Sequence, residues 1–249
     1  MPLLEYRQVS KSFGGLRAID DVSFSVTAGE IVGLIGPNGA GKTTLFAMAS
    51  GFIEPTAGEI MFNGRRANGL GPPALCLAGM SRTFQIVRPF GEMTVLDNVM
   101  VGAFLHHRAR REAKAAAQLV LERVGLGSRA GHIARTLTLS GRKRLEVAKA
   151  LATRPKLLLL DEVMAGLTAV ETAEMLELVQ GLRSDGISIL IIEHNMRAVM
   201  KLSDRIVVIH HGQKISEGSP SAVASDPKVI SAYLGDAHQV TQPSGVVSA

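Results

Sequence analysis

The sequence predicts an α/β fold: a parallel sheet flanked by helices, with a helical lobe inserted into it. Three observations carry that expectation. Short, mainly apolar runs recur at residues 31–35, 156–160, 188–192 and 205–209, without the polar alternation of a half-exposed strand. Such runs read as strands buried on both faces. Helical patterns separate them, and strands alternating with helices imply parallel βαβ units. Residues 88–138 are helical in composition and contain no such run, so they read as the inserted lobe.

The elements follow in order. Residues 3–9 alternate apolar and polar, as in an edge strand, and 10–15 read as a turn. Strands at 21–26 and 31–35 are parted by Ala28-Gly29. A glycine loop and a helix at 44–50 come next, then a loop at 51–58 and a strand at 59–64 ending in Asn-Gly. Between Arg65 and Arg82 the glycines and prolines at 69, 71, 72 and 73 leave the structure open, and 80–87 is expected as a strand. Thr94 is placed to cap a helix running from Val95 towards His106. Residues 111–124 are helical and stopped by Gly125 and Gly127, and 140–153 form a helix that ends before Pro155. An amphipathic helix covers 169–184, and shorter ones cover 196–202, 220–224 and 227–234. The polar residues 236–249 are expected to be a mobile tail after a unit spanning 3–235.

Composition narrows the class. The 249 residues suffice for a sizeable core. Although 46% are apolar, no run approaches the ~18 residues of a membrane span, and the N-terminus lacks the basic-then-apolar layout of a signal peptide. A single cysteine, Cys76, rules out an internal disulfide and suits a reducing compartment. The net charge of +5 includes basic clusters at 108–111 and 142–144, read here as solvated helix faces. With eight Phe, two Tyr and no Trp, there is little material for stacking single-stranded bases, and no nucleic-acid partner is expected.

Residues 36–43 read Gly36, Pro37, Asn38, Gly39, Ala40, Gly41, Lys42, Thr43, which fits G-x-x-x-x-G-K-[ST] between a strand and a helix that continues with Thr44. The three glycines let backbone N–H groups turn inward towards phosphate oxygens, and the helix start adds partial positive charge. Lys42 is placed to reach the β- and γ-phosphates, and the Thr43 hydroxyl to ligate Mg²⁺. Asp161 and Glu162 end a buried strand, where ligands bind in open α/β sheets. Asp161 suits Mg²⁺, and Glu162 suits a base that polarises the attacking water. His194 ends the next buried strand, on the same sheet edge.

These motifs resemble the ATP-binding subunit of an ABC transporter, most nearly one of the two ATPases of branched-chain amino acid importers, over roughly residues 3–235. The resemblance implies a RecA-like P-loop core, an antiparallel β subdomain and a helical subdomain at about 88–140. It implies that residues 36–43 are the Walker A loop and 157–161 the Walker B strand. It makes Phe13 the adenine-stacking ring, Gln85 the Q-loop contact to Mg²⁺ and water, Glu162 the catalytic carboxylate and His194 the switch histidine. The signature motif, read back from Asp161 without gaps, falls on 137–141. There Thr138 keeps the usual hydroxyl, Ser140 stands where the family has Gly, and Gly141 closes the motif. Val163 replaces a usual Pro and Thr168 a usual Asp.

The implied activity is ATP hydrolysis coupled to solute import. The implied cofactors are ATP and Mg²⁺. The implied partners are a second ATP-binding subunit, transmembrane permease subunits and, indirectly, a periplasmic binding protein, with the chain peripheral on the cytoplasmic face of the inner membrane. Two rival functions belong to soluble ABC-type proteins: an ATPase acting on nucleic acid or ribosomes, and a scaffold for cofactor assembly.

Overall fold

The computed structural model describes residues 2–85 and 88–239. Strands β1 (Pro2–Phe13) and β2 (Leu16–Thr27) form a long antiparallel hairpin, followed by β3 (Ile31–Ile35). β4 (Ala57–Phe62) and β5 (Arg65–Arg66) join the hairpin in a four-stranded antiparallel sheet of order β2-β1-β4-β5. The turn expected over 10–15 is confined to Gly14 and Gly15. Lys11, Ser12 and Phe13 continue the ladder opposite Ile19, Arg17 and Leu16. Cross-strand pairing and the burial of Val9, Ile19 and Val22 override the local turn preference of Ser10–Ser12.

The second sheet contains β6 (Met80–Arg82), β7 (Leu157–Asp161), β8 (Ser188–Ile192), β9 (Arg205–His210) and β10 (Gln213–Gly218), in the order β10-β9-β3-β8-β7-β6. All neighbours are parallel except the β9–β10 hairpin. β10 was not legible in the sequence: it is a polar edge strand and buries little. The strand expected over 80–87 stops at Arg82, where its ladder with β7 ends opposite Leu159, and its last residues, 86 and 87, lie outside the described residues. The two-faced burial expected of the central strands is present. Leu158 and Leu160 of β7 face the helical lobe, while Leu157 and Leu159 face the antiparallel sheet.

The helices are α1 (Lys42–Ala49), α2 (Pro72–Ala78), α3 (Val95–Ala103), α4 (Arg110–Arg123), α5 (Leu139–Leu151), α6 (Ala169–Ser184), α7 (Met196–Leu202), α8 (Pro220–Ala224) and α9 (Pro227–Gln239). α2 fills the stretch left open: Pro72 and Pro73 occupy the first turn, where a missing N–H costs nothing, and Gly79 at φ 102° ends it. The Thr94 hydroxyl accepts from the Asp97 N–H at 3.0 Å, capping α3. α3, α4 and α5 make the lobe, and their apolar faces merge into one core with α6 and the sheet. α9 runs five residues past the expected end at 234, because no proline interrupts 234–239. The tail expected from 236 therefore starts no earlier than 240, outside the described residues. Among the described residues no helix is long and apolar enough to cross a membrane.

Candidate nucleotide site

β3 is buried along its whole length and delivers the chain into the glycine loop. A Cβ on Gly36 would lie 2.0 Å from the Ile209 carbonyl oxygen of β9, so only glycine fits there. Gly41, at φ 106°, stands at the head of α1, and a Cβ there would lie 2.5 Å from Ile19 Cδ1. No side chain caps α1, so its first N–H groups are left for an anion. Lys42 is buried, and its Nζ donates to the carbonyls of Gly36 at 2.7 Å and Pro37 at 2.8 Å. Burial pulls its pKa down, against the opposing pull of Glu162 and Asp161.

A cleft of about 310 Å³ opens over this loop. Asn38, Gly39, Gly41, Lys42, Thr43 and Thr44 line one side, and Gln85, Glu162 and His194 line another. With Ala18 of β2, five separate segments thus converge. Glu162 is their hub: one carboxylate oxygen lies 2.6 Å from His194 Nε2, and the other accepts from Gln85 Nε2 at 2.8 Å. Its backbone is left-handed, φ 50°, an uncommon and strained setting for a residue with a side chain.

Three residues that sequence reasoning missed support this hub. Arg82, on β6, pairs with buried Asp161 of β7 at 2.8 Å, and its guanidinium lies 5.4–5.9 Å from the ring centres of Phe46, Phe52 and Phe84. A buried carboxylate needs such a partner. Lys143, on α5 and 4% exposed, donates from Nζ to the Glu162 carbonyl. Burial lowers its pKa against the pull of Glu193, Glu162 and Asp161. Glu193, 3% exposed, accepts from the Met164 N–H at 2.7 Å, and burial pushes its carboxyl up to about 6. The sequence signal for all three was a charged residue within or beside an apolar element.

Other predicted residues stand apart. Phe13, 48% exposed at the tip of β1, is not among the residues lining this cleft, and Lys11 Nζ lies 5.2 Å from its ring centre. Thr138, Ser140 and Gly141 line a different cleft of about 720 Å³ beside Arg129 and Arg144. Thr138 caps α5, its hydroxyl accepting from the Gly141 N–H at 3.2 Å, so Ser140 and Gly141 fall in the first helical turn. Thr168 caps α6 in a reciprocal box with Glu171. A third cleft, of about 740 Å³, lies between β6 and α5 and is lined by Thr43, Arg82, Phe84, Gln85 and Lys149. Both exceed the cleft over the loop in volume; Thr43 and Gln85 line that cleft and the third alike, Asp161 lines only the third, and Glu162 and His194 line only the smaller one.

Comparison with known proteins agrees with this geometry. The family model for ABC transporters matches residues 19–165, and the model for branched-chain amino acid ATP-binding cassette transporters matches residues 213–239. The high-affinity branched-chain amino acid transport ATP-binding protein BraF of Pseudomonas aeruginosa is 40% identical, over 95% of this chain and 99% of that protein. LivG of Escherichia coli, with the same description, is 42% identical over the same shares. The lipopolysaccharide export ATP-binding protein LptB of Acidithiobacillus ferridurans is 36% identical over 96% and 99%. Among solved structures, the ADP conformation of MJ1267, an ATP-binding cassette of an ABC transporter, superposes with a TM-score of 0.86 at 32% identity, covering 94% of this chain and 99% of that one. A nucleotide-free cassette matches equally well. The chain therefore belongs to the ATP-binding subunits of ABC transporters, ATPases with a RecA-like P-loop core, an antiparallel β subdomain and an inserted helical subdomain.

Proposed function

We propose that this ATPase drives the import of branched-chain amino acids, or of a related small polar solute, through a membrane permease. The match of residues 213–239 to the branched-chain family carries the solute class. Overall identity alone does not, since a relative named for lipopolysaccharide export is also 36% identical. The ATPase unit extends through α9 to residue 239, and its helical subdomain runs from about 88 through α5 to residue 151, beyond the expected limits of 235 and 140. It sits on the cytoplasmic face of the membrane and docks by the cleft between β6 and α5, which Phe84 and Lys149 line. A periplasmic binding protein delivers the solute to the permease.

The site fits ATP and Mg²⁺. Gly36 and Gly41 admit no Cβ because Ile209 and Ile19 crowd them, which fixes the tight loop, and the uncapped start of α1 leaves N–H groups for phosphate oxygens. Thr43, Asp161 and Gln85 offer hard oxygen donors. Among the described residues no group of three or more His, Cys, Asp or Glu could hold a metal, and Mg²⁺ carried with a nucleotide needs only one or two protein oxygens. Bound there, it would screen the phosphate charge. Lys42 and the loop N–H groups bind the phosphates, and Phe13 stacks the adenine. Glu162 takes the proton of the attacking water, while Gln85 and His194 hold its carboxylate in place. Thr138, Ser140 and Gly141 lie in a separate cleft, which suits contact with the nucleotide held by a second copy or a paralogue, arranged head to tail.

The test purifies the tagged chain from detergent-solubilised membranes and reconstitutes the complex in proteoliposomes. A copurifying permease and ATP-dependent uptake of labelled leucine are expected. Glu162→Gln should bind MgATP, form an ATP-dependent dimer on size-exclusion chromatography and lose phosphate release by ~10²–10⁴-fold. Recovery with ribosomes or cofactor-assembly proteins instead would overturn the importer reading.

A further inference from the structure

Lys143 joins two parts of the chain that serve different nucleotides in the head-to-tail arrangement. It lies on α5, just after the signature residues Ser140 and Gly141, and its buried Nζ donates to the Glu162 carbonyl. Leu139, the first residue of α5, touches the same segment further on: a Cβ on Gly166 would lie 3.1 Å from Leu139 Cδ2. Glu193 fixes that segment from behind by accepting the Met164 N–H. α5 therefore grips residues 162–166 on both sides of its signature residues. Glu162 is the residue with a strained backbone in that segment, at φ 50°, and such a conformation persists only where its surroundings hold it. Packed interiors transmit shifts rather than absorb them, so movement of the first turn of α5 must reach Glu162.

We propose that Lys143 is a positioning residue that couples the signature helix of each copy to Glu162 of the same copy, so that nucleotide held by the partner sets the catalytic carboxylate of this one. The inference rests on the head-to-tail reading above. It assigns the two sites a shared fate: α5 is pulled by one nucleotide, and Lys143 passes the displacement to the carboxylate that acts on the other. A cation suits the position, since Asp161, Glu162 and Glu193 all act on Lys143 through their charges.

The test uses the full chain with its permease and three variants: Lys143→Met, Lys143→Arg, and Lys143→Met combined with Glu193→Gln. The last removes the buried carboxylate that Lys143→Met leaves without its cation, and it replaces the single variant if that one melts early. MgATP affinity, kcat, KM and the Hill coefficient for ATP are measured, with the Glu162→Gln dimer as a reference. Lys143→Met should keep nucleotide affinity and KM within about twofold, lose kcat by about 10- to 100-fold, as a small misplacement of a reacting group does, and bring a wild-type Hill coefficient above 1 down to about 1. Lys143→Arg should recover most of kcat. Wild-type kcat in a folded Lys143→Met protein, a wild-type Hill coefficient of 1, or equal loss of affinity and kcat in every variant would overturn the coupling. If Glu162→Gln alone forms no ATP-dependent dimer, the head-to-tail reading fails first and takes the coupling with it.

Discussion

Lys42 is held inside the phosphate loop by two of the loop's own carbonyls. Its pKa is lowered by burial, and it lines the cleft over the loop. Charge-assisted hydrogen bonds are worth about 1.5–3 kcal/mol each. Lys42→Ala should therefore weaken MgATP binding by at least roughly tenfold, as read by fluorescent-nucleotide titration, and unchanged affinity would place the nucleotide elsewhere. Glu193 gives a second residue-scale prediction. Its carboxyl is raised from 4.5 to about 6, mainly by burial. The neutral form is thus favoured in the fold. The stability it supplies is complete below pH 4.5 and is lost as pH rises through about 6, a change of about 2 kcal/mol at ~1.36 kcal/mol per pKa unit. Glu193→Gln should flatten thermal stability between those pH values. An unchanged pH profile of Tm would show that Glu193 titrates normally.

At the scale of elements, residues 90–94, just before α3, are tied to that helix by a buried side chain. Asn98, fully buried in α3, accepts from the Phe90 N–H at 2.9 Å and donates to the carbonyls of Phe90 at 3.0 Å and Thr94 at 2.9 Å. Asn98→Ala leaves the Phe90 N–H without a partner, while the carbonyls of Phe90 and Thr94 keep their backbone donors, Met93 and residue 98, and it should cost about 1–3 kcal/mol, read as a lower Tm. Phe90, half exposed, would lose its fixed place beside Lys149, which lines the cleft proposed to receive the permease, so stimulation of ATPase activity by the permease should fall more than activity in its absence. The same scale explains the unusual signature. Thr138 supplies the cap that starts α5, which leaves Ser140 in the first turn with its N–H at a helix start. The helix sets the backbone at Ser140, so the proposed signature position carries its side chain without a positive φ.

For the molecule as a whole, the residues proposed to bind phosphates and those of the proposed signature line different clefts of one chain. On the proposed head-to-tail reading, two copies would bring them together. Ser140→Gly should keep or raise ATPase activity in the assembled transporter. Ser140→Arg should abolish it by blocking the approach of the second copy, while nucleotide binding to the single chain stays intact. An active Ser140→Arg protein would move the signature to another register.

The sequence by itself determined the parts whose physics is local. The phosphate loop is a contiguous run of glycines, a lysine and a threonine between a buried strand and a helix, and its geometry follows from backbone freedom within that run. The central strands declared themselves because burial on both faces leaves no polar alternation. The sequence alone also put Glu162 and His194 at strand ends, but it was a resemblance that named Gln85. What only the tertiary structure decided are the partners of buried charges. Arg82 meets Asp161 across 79 residues, and Lys143 meets the Glu162 carbonyl across 19. Those meetings depend on β6 lying beside β7 and on the way α5 packs against the segment after β7. A buried charge selects its partner by distance in space, and no spacing along the chain encodes that distance.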